Sequence, residues 1–440
     1  MNTYPSYKDS GVEWIGEIPS GWRKSKLKYE LKKILTGGTP NTSNEHYWTD
    51  VDGINWISIS DMTSNPKGVT SSKKQITLEG LNSKNLKILP SDSLIYSIYG
   101  SIGKVNRIKI ESSIHQGILG LITDKELKTK FLEYYLNFLY KDIRSFSSGT
   151  TQDNLNQEKV NNFEITIPPL QEQQQISDYL DYKTSKIDKL IEKTQQKIEL
   201  LKEQRTSLIN TTVTKGLNPD VEMKNSGVEW IGDIPSGWDV KPLKYVSNYN
   251  TNSLGNNTDP EYELNYLEIS DVDSLGNIKK PTQYTFSKSP SRCRRIVQKD
   301  DIIISTVRTY LKSIGFIKNE VRDLICSTGF CVITPNKTRI IPSILFYMVR
   351  MNSFISTVIS LSEGVSYPSI NSDKLVGVKI LIPPIKEQQQ IVDYLDREIS
   401  KIDKLIDNES RRIDLLKEYR QSLISDVVTG KVDVRDEVIV

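Results

Sequence analysis

The sequence predicts an α+β fold: two mixed domains related by pseudo-two-fold symmetry, separated by two long helices forming an antiparallel coiled coil. Three observations carry this. Two long stretches occur twice at nearly one offset. Within each copy, short β-rich runs alternate with turn clusters. Each copy then closes in a charged segment whose apolar residues recur at coiled-coil spacing.

The repeats fix the organisation. Ser10 to Trp22 reads SGVEWIGEIPSGW and Ser226 to Trp238 reads SGVEWIGDIPSGW, matching at 12 of 13 positions at offset 216. Ile167 to Ile191 and Ile382 to Ile406 match at 19 of 25 positions at offset 215. The 440-residue chain is therefore an A-B-A′-B′ duplication whose unit is far longer than a solenoid repeat. Two such units in one chain make a pseudo-dimer.

Within the A segments, Ser93 to Tyr99 and Asp301 to Val307 read as strands. Leu127 to Tyr140 and Ile344 to Ile359 read as helices. Between these landmarks the copies have diverged. Trp56 to Asp61 aligns with Tyr266 to Asp271, and Asp92 to Ser97 with Asp300 to Ser305. Aligning Ile102-Gly103 with Ile314-Gly315 makes the second copy four residues longer just before that pair. The longer loop carries Arg308, Tyr310 and Lys312, against Tyr99, Gly100 and Ser101 in the first copy.

Each B segment opens with a Pro-Pro pair, a helix-start signal. The first seam is Ile176, Leu180, Ile187, Ile191, Ile198, Leu201 and Leu208. The second is Ile391, Leu395, Ile402, Ile406, Ile413, Leu416 and Leu423. A helix of roughly 65 Å, at about 1.5 Å per residue, must bury such a stripe on a partner, and the other copy supplies one. Gly216 to Asn225 (GLNPDVEMKN) stops the first helix and links to the second copy.

Composition narrows the function. Lys and Arg number 58 against 55 Asp and Glu, so a nucleic-acid surface has to be a local patch. No apolar run approaches membrane-spanning length and no secretory segment opens the chain, so no membrane association is expected. Cys293, Cys326 and Cys331 read as reduced thiols of a cytoplasmic protein, with Cys326 and Cys331 packed in a core. His46 and His115 are too few and too far apart for a histidine metal site.

Catalytic motifs fail on their own chemistry. Asp220, Glu222 and Lys224 imitate a nuclease site, but they crowd into one linker instead of converging from separate strands. Gly100 to Lys104 lacks the first glycine and the trailing Ser or Thr of a phosphate loop. The Pro-Pro pairs follow Ile167 and Ile382, not the Asn or Asp of an amino-methyltransferase. The expectation is no catalytic residue, no metal and no cofactor in this chain.

What remains suits DNA. The first copy gathers Lys73, Lys74, Lys84, Lys87, Lys104, Arg107 and Lys109 with Tyr96 and Tyr99. The second gathers Lys279, Lys280, Lys288, Arg292, Arg294, Arg295, Arg308 and Lys312 with Tyr284 and Tyr310. Cations meet phosphates, while Arg, Ser, Thr and Gln on loops reach base edges. The candidate readers are Lys73, Lys74, Tyr99, Ser101, Lys104, Arg107, Thr150 and Gln152, then Lys279, Lys280, Arg292, Arg294, Arg295, Arg308, Tyr310, Lys312 and Tyr367.

GVEWIGEIPSGW, the IPPLQEQQQI junction and SKIDKLIEKTQQKIELLKEQRTSLI resemble the specificity (S) subunit of type I restriction-modification systems, twice over. The resemblance covers essentially the whole chain. It implies target-recognition domains at 1–167 and 226–381, with helical spacers at 168–225 and 382–440. It implies double-stranded DNA as ligand and two modification subunits that use S-adenosylmethionine to methylate adenine. It further implies two restriction subunits that use ATP and Mg²⁺. Base-reading residues differ between members and are not carried over. Two rival readings are a self-contained restriction or modification enzyme and a coiled-coil scaffold without DNA contact. The missing cofactor motifs oppose the first, and the loop-divergent domains oppose the second.

Overall fold

A computed structural model describes residues 2–13, 15–65, 68–140 and 155–437. It divides into two compact units, Met1–Thr194 with Arg411–Val440, and Gln195–Ser410. The division passes through both long helices, so each unit contains half of each.

In the first unit an antiparallel sheet runs in the order Leu31–Thr36, Ile118–Thr123, Leu94–Ser97, Val105–Arg107. A second sheet runs Ser112–Ile114, Ile54–Ile57, Lys74–Ile76, Trp48–Thr49, its first pair parallel. The second unit repeats the first sheet as Ser247–Tyr249, Phe330–Pro335, Ile302–Ser305, Ile314–Phe316. Its other sheet keeps the parallel pair as Glu263–Leu267 with Leu324–Ser327, flanked by Thr282–Thr285 and Cys293–Ile296. The added strands lie on opposite edges: Trp48–Thr49 beyond Lys74–Ile76 in the first unit, Cys293–Ile296 beyond Leu324–Ser327 in the second.

The strands expected from the sequence form at Leu94–Ser97 and Ile302–Ser305, every residue buried. Their continuous apolar character follows from cover on both faces. Leu94 and Tyr96 enter one core and Ile95 another; Ile302 and Ile304 are likewise separated from Ile303.

Two expectations need correction. The strand pairing matches Tyr96 with Val105 and Ile304 with Ile314. Ile314-Gly315 therefore corresponds to Val105-Asn106, not to Ile102-Gly103. The connecting loop is Ile98 to Lys104 in the first unit and Thr306 to Ser313 in the second, longer by one residue rather than four. The helix expected at Ile344 to Ile359 is two helices, Pro342–Val349 and Asn352–Ser360, bent by 61°. Met351 breaks it by adopting an extended backbone (ψ 142°) that carries its side chain into the core. Among the described residues, the first copy's counterpart of Pro342–Val349 is the helix Thr129–Leu139, and the counterpart of most of Asn352–Ser360 lies outside them.

The long helices are Leu170–Lys215 and Ile385–Val428. Their halves pair antiparallel within each unit. In the second unit Arg205 bonds Asp403 at 2.9 Å and Lys197 meets Glu409, so one number falls as the other rises. In the first, Arg420 bonds Asp188 at 2.9 Å. Ile176, Leu180, Ile187, Ile198 and Leu201 are buried, as are Ile391, Leu395, Ile402, Ile413 and Leu423. Ile191, Leu208, Ile406 and Leu416 are half-buried. The apolar face is wider than this seam toward the helix ends. Tyr179, Ile209, Val213, Val392, Ile399, Ile424, Val427 and Val428 are also buried, because there the helices pack on a domain as well as on each other.

The repeated motifs make the same joint twice. The Trp22 indole N–H donates to Glu172 at 2.9 Å, and that of Trp238 donates to Glu387 at 2.9 Å. Beside each carboxylate a buried Gln satisfies three backbone groups. Gln173 accepts from Lys128 N–H and donates to the Glu126 and Pro168 carbonyls. Gln388 accepts from Ile341 N–H and donates to the Arg339 and Pro383 carbonyls. Closing each joint is a left-handed glycine, Gly430 against Pro19 and Trp22, and Gly216 against Trp238 and Glu387. Glu172 is buried and also accepts from the Tyr4 hydroxyl; burial and that carboxylate push the Tyr4 phenol up. Glu172→Ala leaves two donors without an acceptor and is expected to cost about 1–3 kcal/mol in denaturant unfolding. Glu387→Ala, at a half-exposed carboxylate, is expected to cost less.

Candidate nucleic-acid interface

Both units present loops at the same end of the antiparallel sheet. In the first, Ser97 hydroxyl donates to the Tyr99 carbonyl at 2.7 Å, and Ile98 N–H to the Gly117 carbonyl at 2.9 Å. In the second, Ser305 hydroxyl donates to the Val307 carbonyl at 2.7 Å, and Thr306 N–H to the Gly329 carbonyl at 2.8 Å. Identical backbone bonds thus hold unlike side chains: Tyr99 and Ser101 on one loop, Arg308, Tyr310 and Lys312 on the other. A hairpin joins the second loop. Glu363 and Ser369 exchange both backbone bonds, and Arg308 N–H donates to the Pro368 carbonyl at 2.7 Å. The Arg308 guanidinium lies 4.4 Å over the Tyr367 ring.

The expected cations separate into two kinds. Arg107 is held between Glu133 at 3.6 Å and Asp92 at 3.9 Å, and Lys109 is bound to Asp92 at 2.7 Å. Lys109, and to a lesser degree Arg107, hold the Asp92 carboxyl below its usual range. Among the described residues, Lys73, Lys104, Lys280, Arg292, Arg308 and Lys312 enter no ion pair and are exposed. Lys74 lies 5.2 Å over the Trp48 ring, and Lys279 donates to the Ser270 carbonyl. Arg294 lies 4.7 Å over Phe286, and Arg295 is half-buried on the same strand. Tyr99, Tyr310 and Tyr367 are exposed, whereas Tyr96 is wholly buried and belongs to the core. Thr150 and Gln152 lie outside the described residues. Lys73, Lys74 and Lys279 to Arg295 border the second sheet of each unit, apart from the loop residues on the first.

The three thiols are buried and free, and burial pushes Cys331 up to about 11. The strand Met223–Asn225 takes Met223 and Lys224 of the acidic linker into a two-stranded ladder with Asp233–Pro235.

Sequence reasoning missed His115. Its Nδ1 accepts from Gly117 N–H at 2.9 Å, and its ring stands 5.5 Å from Trp56. The Ser327 hydroxyl accepts from Gly329 N–H in the same way at 3.2 Å. A Cβ on Gly117 would lie 3.2 Å from that of Tyr99, so His115 sits beneath the Tyr99 loop. The signal was the HQG tripeptide between two strands, which a search for metal ligands passes over.

The fold and these loops define a class first: a duplicated α+β frame whose two copies carry unlike, cation-bearing loops. A family model described as the type I restriction modification DNA specificity domain matches residues 19–200 and 235–418. The chain belongs to this family, and is a specificity subunit rather than an enzyme. It is 24% identical over 443 residues to the type I restriction enzyme MjaIX specificity subunit of Methanocaldococcus jannaschii, covering 96% of each chain. It is 30% identical over 156 residues to the HindI specificity subunit of Haemophilus influenzae, 34% of this chain and 33% of that one. Its fold resembles a chain from a study of assembly and conformational transition of the type I R-M system. That match has TM-score 0.66 and 18% identity, over 94% of this chain and 99% of that one. The HsdS subunit from Thermoanaerobacter tengcongensis gives 0.52 and 16%, over 94% and 98%.

Burial holds the His115 pKa below its usual 6.5, because the charged ring loses hydration. The unfolded chain takes up that proton first as the pH falls. The stability His115 contributes is therefore complete above about pH 6.5 and lost as the pH drops through the folded value. Unfolding midpoints measured across this range are expected to fall more steeply for the wild type than for His115→Asn, which keeps an acceptor but does not titrate.

Proposed function

We propose that this chain reads an asymmetric, bipartite DNA target for a type I restriction-modification complex, one half-site per recognition domain, and so directs adenine methylation and cleavage by partner subunits. The observation that carries the reading is the repeated sheet order with diverged loops. A shared frame would approach the duplex twice, and unlike loops would read two different words. The exposed candidates named above are the readers in this proposal, with Thr150 and Gln152 assigned to the first half-site. Such a protein would work in the cytoplasm beside the host DNA, and the three free thiols accord with that.

The partners in this reading are two modification subunits holding S-adenosylmethionine and two restriction subunits using ATP and Mg²⁺. The long helices would dock the modification subunits. Their outer faces carry apolar residues at equivalent places, Leu200 and Leu415 being 64% and 65% exposed. Leu190 and Leu405 form a second such pair.

Single-molecule sequencing of methylated adenines, with and without this gene, is expected to show one split motif that depends on it. Methylation by the purified chain with S-adenosylmethionine alone would overturn the reading. The helices would also set the gap between half-sites. Four residues inserted within Gln195 to Leu208 lengthen the first helix by about 6 Å. At about 3.4 Å per base pair the gap in the methylated motif is expected to grow by roughly two base pairs. An unchanged gap would remove the helices' role as a ruler.

A further inference from the structure

Eight non-glycine residues among those described have a positive φ. Six are Asp or Asn, which tolerate the left-handed region because a short polar side chain can bond the local backbone. The other two are Arg308 (φ 51°, ψ 50°) and Lys312 (φ 57°, ψ 32°), and they flank one turn, Thr309–Leu311. In the first unit the corresponding loop places Gly100 (φ 70°) and Gly103 (φ 83°) in left-handed backbone. The turn therefore has a glycine solution within this same chain. The second copy instead places its two longest kinds of cation there, against the conformational preference of any residue with a Cβ.

The surroundings hold the strained backbone and turn its side chains outward. Thr309 is buried, its hydroxyl 2.9 Å from that of Ser362. Val307 bridges Ser369, and Lys374 clamps Glu363 at the hairpin base. Arg308, Tyr310 and Lys312 are exposed while Ser313 is buried. The Arg308 guanidinium carbon lies 4.4 Å over the exposed Tyr367 ring, so the cation is seated on an aromatic face at the surface.

We propose that this turn and the Glu363 to Ser369 hairpin are one reading head, in which Arg308 on Tyr367 donates a paired hydrogen bond to a guanine in the major groove and Lys312 binds a neighbouring phosphate. This rests on the reading that the second domain recognises one half-site. Backbone strain kept at a site that glycine would relieve is the mark of a side chain retained for a ligand. A planar, always-charged fork already held over an aromatic ring suits guanine O6 and N7, the commonest partner of arginine in the major groove.

The test uses the chain assembled with its modification subunits, reading the methylated motif and thermal unfolding together. Arg308→Gly is expected to unfold at an equal or higher temperature than wild type. It is also expected to lose guanine preference at one position of one half-site by tenfold or more, the other half-site being unchanged. Arg308→Lys keeps the charge and the backbone but loses the fork, and is expected to relax that same position. Lys312→Gly is expected to weaken binding equally across sequences, lowering the salt slope by about one, with the motif intact. A lower unfolding temperature for Arg308→Gly, or an unchanged motif in both Arg308 variants, would overturn the proposal. A wild-type complex that methylates no split motif would instead overturn the reading beneath it.

Discussion

A carboxylate at the start of each long helix holds this architecture together. Glu172 and Glu387 sit where an α-helix offers unpaired N–H groups and a partial positive charge, a favourable place for a carboxylate. Each accepts an indole N–H from the tryptophan that ends the repeated thirteen-residue motif, Trp22 or Trp238. The adjacent Gln closes the backbone groups that the Pro-Pro start leaves open. A domain is thereby tied to its helix by hydrogen bonds, with the apolar burial of Ile176 and Leu180, or Ile391 and Leu395, beneath them. Loss of the carboxylate would leave the packing without its register.

This joint explains why some stretches match almost perfectly while others have drifted. Residues that make the joint are constrained by partners far away in sequence, so both copies retain them. The sheets tolerate more change because their strands need only alternate cores: Leu94-Ile95-Tyr96 and Ile302-Ile303-Ile304 do the same work with different residues. The loops tolerate most. Ser97 and Ser305 end their strands with the same hydroxyl-to-carbonyl bond, and beyond that bond the chemistry is free to differ.

The duplication and the helical seam were legible in the sequence because both are periodic, and period is what a linear reading detects. Antiparallel pairing of the helices followed from the pseudo-two-fold symmetry that a duplication implies. The loop alignment was not legible. Ile102-Gly103 and Ile314-Gly315 agree as letters, but strand register is set by hydrogen bonds, and these match Ile314 to Val105. The break at Met351 was hidden for a similar reason: MNSFIS continues a helical apolar pattern, and only the buried position of Met351 forces an extended residue there. The extra width of the apolar helix faces at Ile209 and Val427 escaped because a two-stranded seam was sought where three surfaces meet. Of the site, the cations were legible as residue types. Their division into paired and exposed groups was not, since Arg107 finds Glu133 only through the fold.

That division reconciles a nearly balanced chain with a polyanionic ligand. Acidic partners are spent on scaffold cations: Glu30 on Arg23, Glu133 on Arg107, Asp92 on Lys109. Arg23 in turn holds the Glu30 carboxyl below its usual range, so that pair stays charged and structural. The loops that end the sheets carry cations that no acid answers among the described residues, and a field confined to about 8–10 Å at physiological salt needs no net charge on the whole molecule. A balanced scaffold also isolates the loops from folding. The joints at Glu172 and Glu387 and the bonds that Ser97 and Ser305 make use no side chain of the loops that follow. It is this separation that lets a strained pair such as Arg308 and Lys312 persist, because the strain is borne by a turn already over-determined by Thr309, Pro368 and Ser369.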